Sequence, residues 1–248
     1  MTTRKVPFEN GEFYHVYNRG VDKRVVFEDL SDSRRFLRSM VAFNDEYPAG
    51  SLFLHDRLRS NSGSTATALK TEAETKKPLV NIVAYCLNPN HFHLLLEQVS
   101  DGGISEFMKR VSGGYTWYFN NKYGRTGSLF QGRFKSVHVE SNEYLLHVSV
   151  YVNLNARVHS CSDSGSTAMA VSLSSWSEYM VISDCGQEDG ICKKDDVLNQ
   201  FRDQQGYRKF AEHSLRGIRE GRGLLGSEYL FEAVAIAVQP LHKTSSKP

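Results

Sequence analysis

A chain of 248 residues, 40% hydrophobic and 23% charged, has an ordinary globular composition and enough length to bury a real core. Its formal charge of +2 and pI near 8.3 lie far from histone-like or acidic-tail extremes, so global charge neither demands nor excludes nucleic acid. The first residues carry charges and no apolar leader core, no apolar run approaches membrane-spanning length, and no Gly-Lys pair exists to build a GxxxxGK[ST] nucleotide loop. The expectation is a soluble, cytoplasmic protein with no membrane partner, whose phosphoryl chemistry, if any, runs without that loop.

Glu12 to Asn18 is rich in aromatic and β-branched residues and ends at Asn18-Arg19-Gly20, which predicts a strand leaving through a turn, with Val25 to Phe27 as a short partner strand. From Ser31 to Tyr47, Phe36, Leu37, Met40, Val41 and Phe43 fall at helical spacing behind a Ser/Asp start signal. Residues 59–78 turn to Ser, Thr, Gly, Asn, Lys and Glu with hardly any large apolar side chain, which predicts a flexible insertion. Val80 to Leu87 and His91 to Glu97 flank Asn88-Pro89-Asn90 and predict a β-hairpin. Ile104, Phe107, Met108, Val111, Tyr115 and Tyr118 then mark a second helix, ending before a polar segment from Asn120 to Gly132. Phe134 to Glu140 reads as a short strand, and Glu143 to Val158 as a third helix capped by Asn142. This order predicts an antiparallel sheet with packed helices, an α+β layer architecture.

Beyond His159 the signal weakens to a Ser-rich stretch, a Gly-containing loop near Cys185 to Gly190, a helix from Asp195 through Phe210, and a loop from Gly217 to Gly226 that interleaves glycine with arginine. Cys86, Cys161, Cys185 and Cys192 form no CxxC pair and read as reduced thiols.

Two features carry chemistry. On a strand, His91, His93 and Leu95 share one face, so two imidazoles stand side by side and can ligate one divalent ion; a half-buried histidine pair is the plainer alternative. On the third helix, Tyr144, His147, Tyr151 and Asn155 form a polar stripe, which sets a phenol one turn from an amide; a packing tyrosine satisfied by His147 is the plainer alternative there. From Lys122 to Lys135 there are four basic residues, Lys122, Arg125, Arg133 and Lys135, and no acidic one. Tyr123, Phe130 and Phe134 are interleaved with them, as in surfaces that track and stack single-stranded nucleic acid.

Taken together, four segments resemble the REP-associated tyrosine transposases, members of the HUH single-tyrosine endonuclease superfamily related to the insertion-sequence-two-hundred-like transposases. They are Phe13-Tyr14-His15-Val16-Tyr17-Asn18-Arg19-Gly20, Tyr85 through His91-Phe92-His93 to Leu95, Tyr123 through Gln131-Gly132-Arg133 to Ser136, and Glu143 through Tyr151 to Asn155. The similarity covers roughly residues 12 to 158, interrupted by the insertion. It departs where the family commonly reads Asn-Pro-Val, because Asn155 is followed here by Ala156-Arg157.

The resemblance implies a ferredoxin-like antiparallel sheet with packed helices, the HUH endonuclease fold, over residues 1–158, followed by a mostly helical C-terminal extension over 159–248. It implies that Tyr151 is the nucleophile and that His91, His93 and Asn155 hold a divalent metal; a mixed imidazole and oxygen ligand set suits Mg2+ or Mn2+. Arg19, Arg125, Gln131, Arg133 and Lys135 are implied nucleic-acid contacts, with single-stranded or hairpin DNA as partner and a homodimer compatible with the family pattern. The implied activity is that of a transposase, nicking and rejoining DNA through a 5′-phosphotyrosine link. The alternatives are a nucleic-acid-binding regulator of the same fold without strand transfer, and a small-molecule metal hydrolase, which would need further His or Asp ligands at a spacing the remaining histidines lack.

Overall fold

The computed structural model describes residues 7–48, 50–53, 55, 77–159, 172–180 and 190–222. The insertion expected over 59–78 therefore lies almost wholly outside the described residues, as do the Ser-rich stretch, most of the loop near Cys185, and Cys161 and Cys185 themselves.

Strand β1 (Phe13–Arg19), helix α1 (Leu30–Ala42), the hairpin of β2 (Val80–Asn88) and β3 (His91–Gln98), helix α2 (Gly103–Lys122) and β4 (Lys135–Val139) follow in chain order. The sheet order is β4-β1-β3-β2-β5, with each neighbouring pair antiparallel and a two-residue strand β5 (Leu173–Ser174) on the outer edge of β2. The first four strands and first two helices have the β-α-β-β-α-β arrangement of a ferredoxin-like fold, as expected. Helices α3 (Asn142–Asn153), α4 (Asn155–His159), α5 (Trp176–Met180), α6 (Asp195–Leu198) and α7 (Gln204–Arg222) complete the described chain, and its C-terminal part is helical apart from β5.

Strand alternation divides the core into two layers. Tyr14, Val16, Phe92, Leu94 and Leu96 point toward α1 and α2 and pack with Phe36, Met40, Phe107 and Tyr115. Leu95, Ala84 and Cys86 point the other way, toward Val148, Val152, Tyr207 and Ala211 of α3 and α7. In β2 the register shifts between Ile82 and Ala84, so that Val83 is one residue too many for its partner strand. Ile82 faces the first layer and Ala84 the second, which sets Cys86 and Asn88 on the α3 side.

Several local expectations are corrected. Val25 to Phe27 form no strand; the amides of Val26 and Phe27 both donate to the Pro89 carbonyl and tie this segment to the hairpin turn. Gly20 begins that path, and a Cβ there would clash with the carbonyl of Arg24. Helix α1 starts at an Asp29 cap and stops at Ala42, short of Tyr47, because the Asn44 side chain accepts the amides of Leu79 and Val80 and so joins the start of β2. The cap of α3 is Ser141 rather than Asn142, and the expected single helix to Val158 breaks at Leu154, so Tyr151 and Asn155 lie on consecutive helices. The helix expected over 195–210 is two helices, and the second runs through Gly217 to Arg222 where a loop was expected.

Candidate functional site

Cross-strand pairs share a face, so the register builds the site as two rows on the α3 side of the sheet. Lys135, Tyr17, His93 and Cys86 form one row, and Arg19, His91 and Asn88 the next. The two-residue turn of Pro89 and Asn90 sets Asn88 opposite His91. Helices α3 and α4 cross above these rows and bring Tyr151 and Asn155 down onto them.

His91, His93, Tyr151 and Asn155 are all buried. The Tyr151 ring stands edge-on to His93 at 5.4 Å between centroids, and the two histidine rings are perpendicular at 5.1 Å. Oδ1 of Asn155 is 3.4 Å from Nε2 of His91. Nδ2 of Asn88 donates to both of these acceptors, at 2.8 Å to Asn155 and 3.0 Å to His91. Asn88 Oδ1 accepts in turn from the Ser172 hydroxyl and the Cys86 thiol, which fixes the orientation of its amide. Burial pushes that thiol up to about 12, so Cys86 stays protonated and donating.

On each histidine a neighbour meets Nδ1. His91 Nδ1 lies 2.6 Å from Asn90 Oδ1, which can only accept, so this nitrogen carries the hydrogen and Nε2 bears the lone pair. His93 Nδ1 lies 2.9 Å from Nε2 of His15, a buried residue whose imidazole desolvation pushes down to about 3. Tyr17 stacks on His93 at 5.8 Å, and partial burial raises its phenol above the ordinary value.

This donor set fits a hard to borderline divalent ion. Nε2 of His91 and Oδ1 of Asn155 are spaced like two ligands of one ion, roughly 3 Å apart for bonds of about 2.1 Å. Nδ2 of Asn155 is buried with no hydrogen-bond partner, while Oδ1 is the end of the amide turned to His91. Among the described residues no group of three His, Cys, Asp or Glu side chains is arranged to hold a metal, so an ion at this position would have two imidazoles and an amide to bind. Such a set leaves coordination positions for phosphate or water.

The expected nucleic-acid contacts fall in different places. Arg19 and Lys135 share the face of the histidines. Gln131 and Arg133 are exposed on the segment before β4, and Arg133 lines a cleft of about 1080 Å³ between this segment and α2, on the opposite side of the sheet. Arg125 instead lies over the Phe119 ring at 5.8 Å with one terminal nitrogen buried. Lys122 serves the fold, at 2.7 Å from the buried Asp32 and 2.9 Å from Asp29. The stacking role read for the aromatics is corrected: Tyr123 donates to Asp32, Phe130 is buried in the α1/α2 layer, and Phe134 stacks on Phe8. Their apolar area closes the core rather than facing solvent.

His15, Tyr17 and Asn88 are site neighbours that sequence reading did not single out. The alternation of β1 and the length of the hairpin turn are the signals that locate them, once β1 is paired with β3.

Residues 62–155 match the family model described as "Transposase IS200 like". No curated protein sequence matches the chain. A solved structure of a REP-associated tyrosine transposase bound to a REP hairpin aligns with a TM-score of 0.42 and 12% identity, over 77% of this chain and 94% of that one. The match over residues 62–155 agrees with the resemblance read from the motifs in that stretch.

Proposed function

We propose that the protein nicks and rejoins single-stranded or hairpin DNA in a metal-dependent reaction, with Tyr151 as nucleophile. The observation that carries this reading is the convergence of sequence-distant groups on one sheet face, with Tyr151 against His93 and Oδ1 of Asn155 within 3.4 Å of Nε2 of His91. The family match over 62–155 supports it.

His91, His93 and Asn155 would hold a divalent ion, Mg2+ or Mn2+, which when bound supplies Lewis-acid polarisation of a phosphate oxygen. The Tyr151 hydroxyl oxygen attacks phosphorus and loses its proton, while the bond from phosphorus to the 3′ oxygen breaks and that oxygen takes up a proton. The products are a 5′-phosphotyrosine and a free 3′-hydroxyl. Attack by a 3′-hydroxyl on the phosphotyrosine restores a phosphodiester and returns the phenol, so no nucleotide hydrolysis is needed. A phenol with an ordinary pKa of about 10 needs positive charge nearby to ionise. Arg19 and Lys135, in the same rows as the two histidines, neutralise the phosphate that approaches Tyr151, and Gln131 and Arg133 contact the strand farther out. Arg125, held over Phe119, shapes that segment from below.

The test is a labelled single-stranded oligonucleotide carrying an inverted repeat, denaturing electrophoresis to detect a protein–DNA adduct, and peptide mapping of the linked residue. Wild type forms the adduct with Mg2+ or Mn2+ and not in excess chelator, and Tyr151→Phe forms none while keeping its fold. An adduct in Tyr151→Phe, or one mapping to Tyr17 or Tyr144, overturns the assignment. A wild-type protein that binds DNA and never forms an adduct would leave the regulator reading in its place.

A further inference from the structure

We propose that His15 is a positioning residue for His93: its Nε2 accepts the His93 Nδ1 hydrogen and thereby keeps the ligating lone pair on His93 Nε2. The proposal rests on the reading of His93 as a metal ligand. It adds a residue from β1, outside the HxH strand and the tyrosine helix, to the apparatus that prepares the site.

A neutral imidazole has one N–H and one lone pair, and ligation through Nε2 requires the hydrogen on Nδ1. For His91 that state is imposed by Asn90 Oδ1 at 2.6 Å, and Asn90 is itself oriented by its Nδ2 donating to the Lys23 carbonyl at 3.3 Å. The matching contact of His93 is to His15 Nε2 at 2.9 Å. Between two imidazoles only one hydrogen occupies the contact, and when His15 is the acceptor both strand histidines adopt the same tautomer. Packing holds His15 in place for this task. Its ring lies nearly parallel to His93 at 5.0 Å, is flanked by Tyr17 at 5.3 Å, and meets the Tyr151 ring edge-on at 5.7 Å. The β1–β3 register, with Tyr17 opposite His93 and His15 opposite Leu95, makes His15 the diagonal neighbour of His93 on the same face. One side chain therefore contacts both a proposed ligand and the proposed nucleophile.

The decisive measurement is the long-range 1H–15N correlation spectrum of the metal-free protein, which reports which nitrogen of His93 carries the hydrogen. Two variants accompany it: His15→Phe keeps a ring of similar volume and removes the acceptor, and His15→Gln returns an acceptor near the position of Nε2. Wild type and His15→Gln should show His93 protonated on Nδ1, and His15→Phe should move the hydrogen to Nε2. Mn2+ affinity should fall roughly 10- to 100-fold in His15→Phe and return toward wild type in His15→Gln. His93 protonated on Nε2 in wild type, or on Nδ1 in His15→Phe, overturns the proposal. Should His15→Phe fail to fold, the spectra of wild type and His15→Gln still decide it. A tautomer that depends on His15 in a protein that never binds Mn2+ would sink the metal reading while sustaining the hold of His15 on His93.

Discussion

The amide of Asn88 donates a 2.8 Å hydrogen bond to Oδ1 of Asn155 and so joins the last residue of β2 to the first residue of α4. The same nitrogen reaches Nε2 of His91, so Asn88 meets both of the acceptors assigned to the ion. Asn88→Ala takes this donor away from both buried acceptors, at a cost of about 1–3 kcal/mol. An ion bound there would satisfy them without displacing anything. Mn2+ should therefore raise the melting temperature of Asn88→Ala by more than that of wild type, and scanning calorimetry with and without Mn2+ checks this. Equal shifts would mean that Asn88 and the ion do not share acceptors.

Behind the tyrosine helix, Asn153 Nδ2 donates to the Tyr207 hydroxyl at 3.0 Å, and Ser149 lies 3.0 Å from the same hydroxyl. Ser175 donates to Asn153 Oδ1 at 2.6 Å, and Ser149 to the Leu146 carbonyl at 2.7 Å, so the donors form a buried chain. The C-terminal helix α7 is thereby tied to α3 through the Tyr207 hydroxyl. Tyr207→Phe should destabilise the protein by about 1–3 kcal/mol in urea unfolding. It should also slow adduct formation with DNA affinity unchanged, because Tyr207 is fully buried and offers DNA no surface. Unaltered adduct kinetics would show that this polar chain does not position Tyr151.

The cations of the basic segment should separate in a salt titration. Arg133→Ala and Lys135→Ala each remove an exposed cation, and each should reduce the slope of log affinity against log salt by about 0.7 for a single strand. Arg125→Ala should change that slope less and stability more, because its guanidinium lies over Phe119. An Arg125 effect on slope equal to that of Arg133 would show that the side chain leaves Phe119 to meet DNA.

His147, on α3, packs against Phe210 at 5.0 Å and lies 3.3 Å from the Ser214 hydroxyl; desolvation, then nearby His213, lowers its pKa. The unfolded chain, with histidine near its ordinary value of about 6.5, takes up a proton before the folded protein does. Stability present above that value is lost as pH falls toward the lowered folded pKa. His147→Phe should flatten the pH dependence of urea unfolding between neutral and mildly acidic pH. An unchanged slope would remove His147 from the cause.

The HxH spacing and the tyrosine stripe were legible because each depends on one local period, two for a strand and 3.6 for a helix. What periodicity could not reveal is which strand lies beside β3. His15 and Tyr17 acquire meaning only through the β1–β3 pairing, and Asn88 through the turn that sets it opposite His91. The break at Leu154 was hidden because the three- and four-residue spacing of Tyr144, His147, Tyr151, Asn155 and Val158 runs on across it. Lys122 and the aromatics of the basic segment misled for a different reason: composition cannot distinguish a cation beside a buried aspartate from one facing solvent, or a core ring from a stacking platform.

Val83 makes chain length in β2 count modulo two. Ahead of it the even-numbered residues Val80 and Ile82 face α1 and α2; after it the even-numbered Ala84, Cys86 and Asn88 face α3. Loss of that single residue would force a choice on the strand. With the turn holding Asn88 opposite His91, the start of β2 would invert, driving Val80 and Ile82 out from under α1 and bringing Asn81 inward. With the start of the strand held instead, Asn88 would leave Asn155 for the far side of the sheet. A defect in the pairing of two strands is thus the condition for having a greasy layer at one end of β2 and a polar centre at the other.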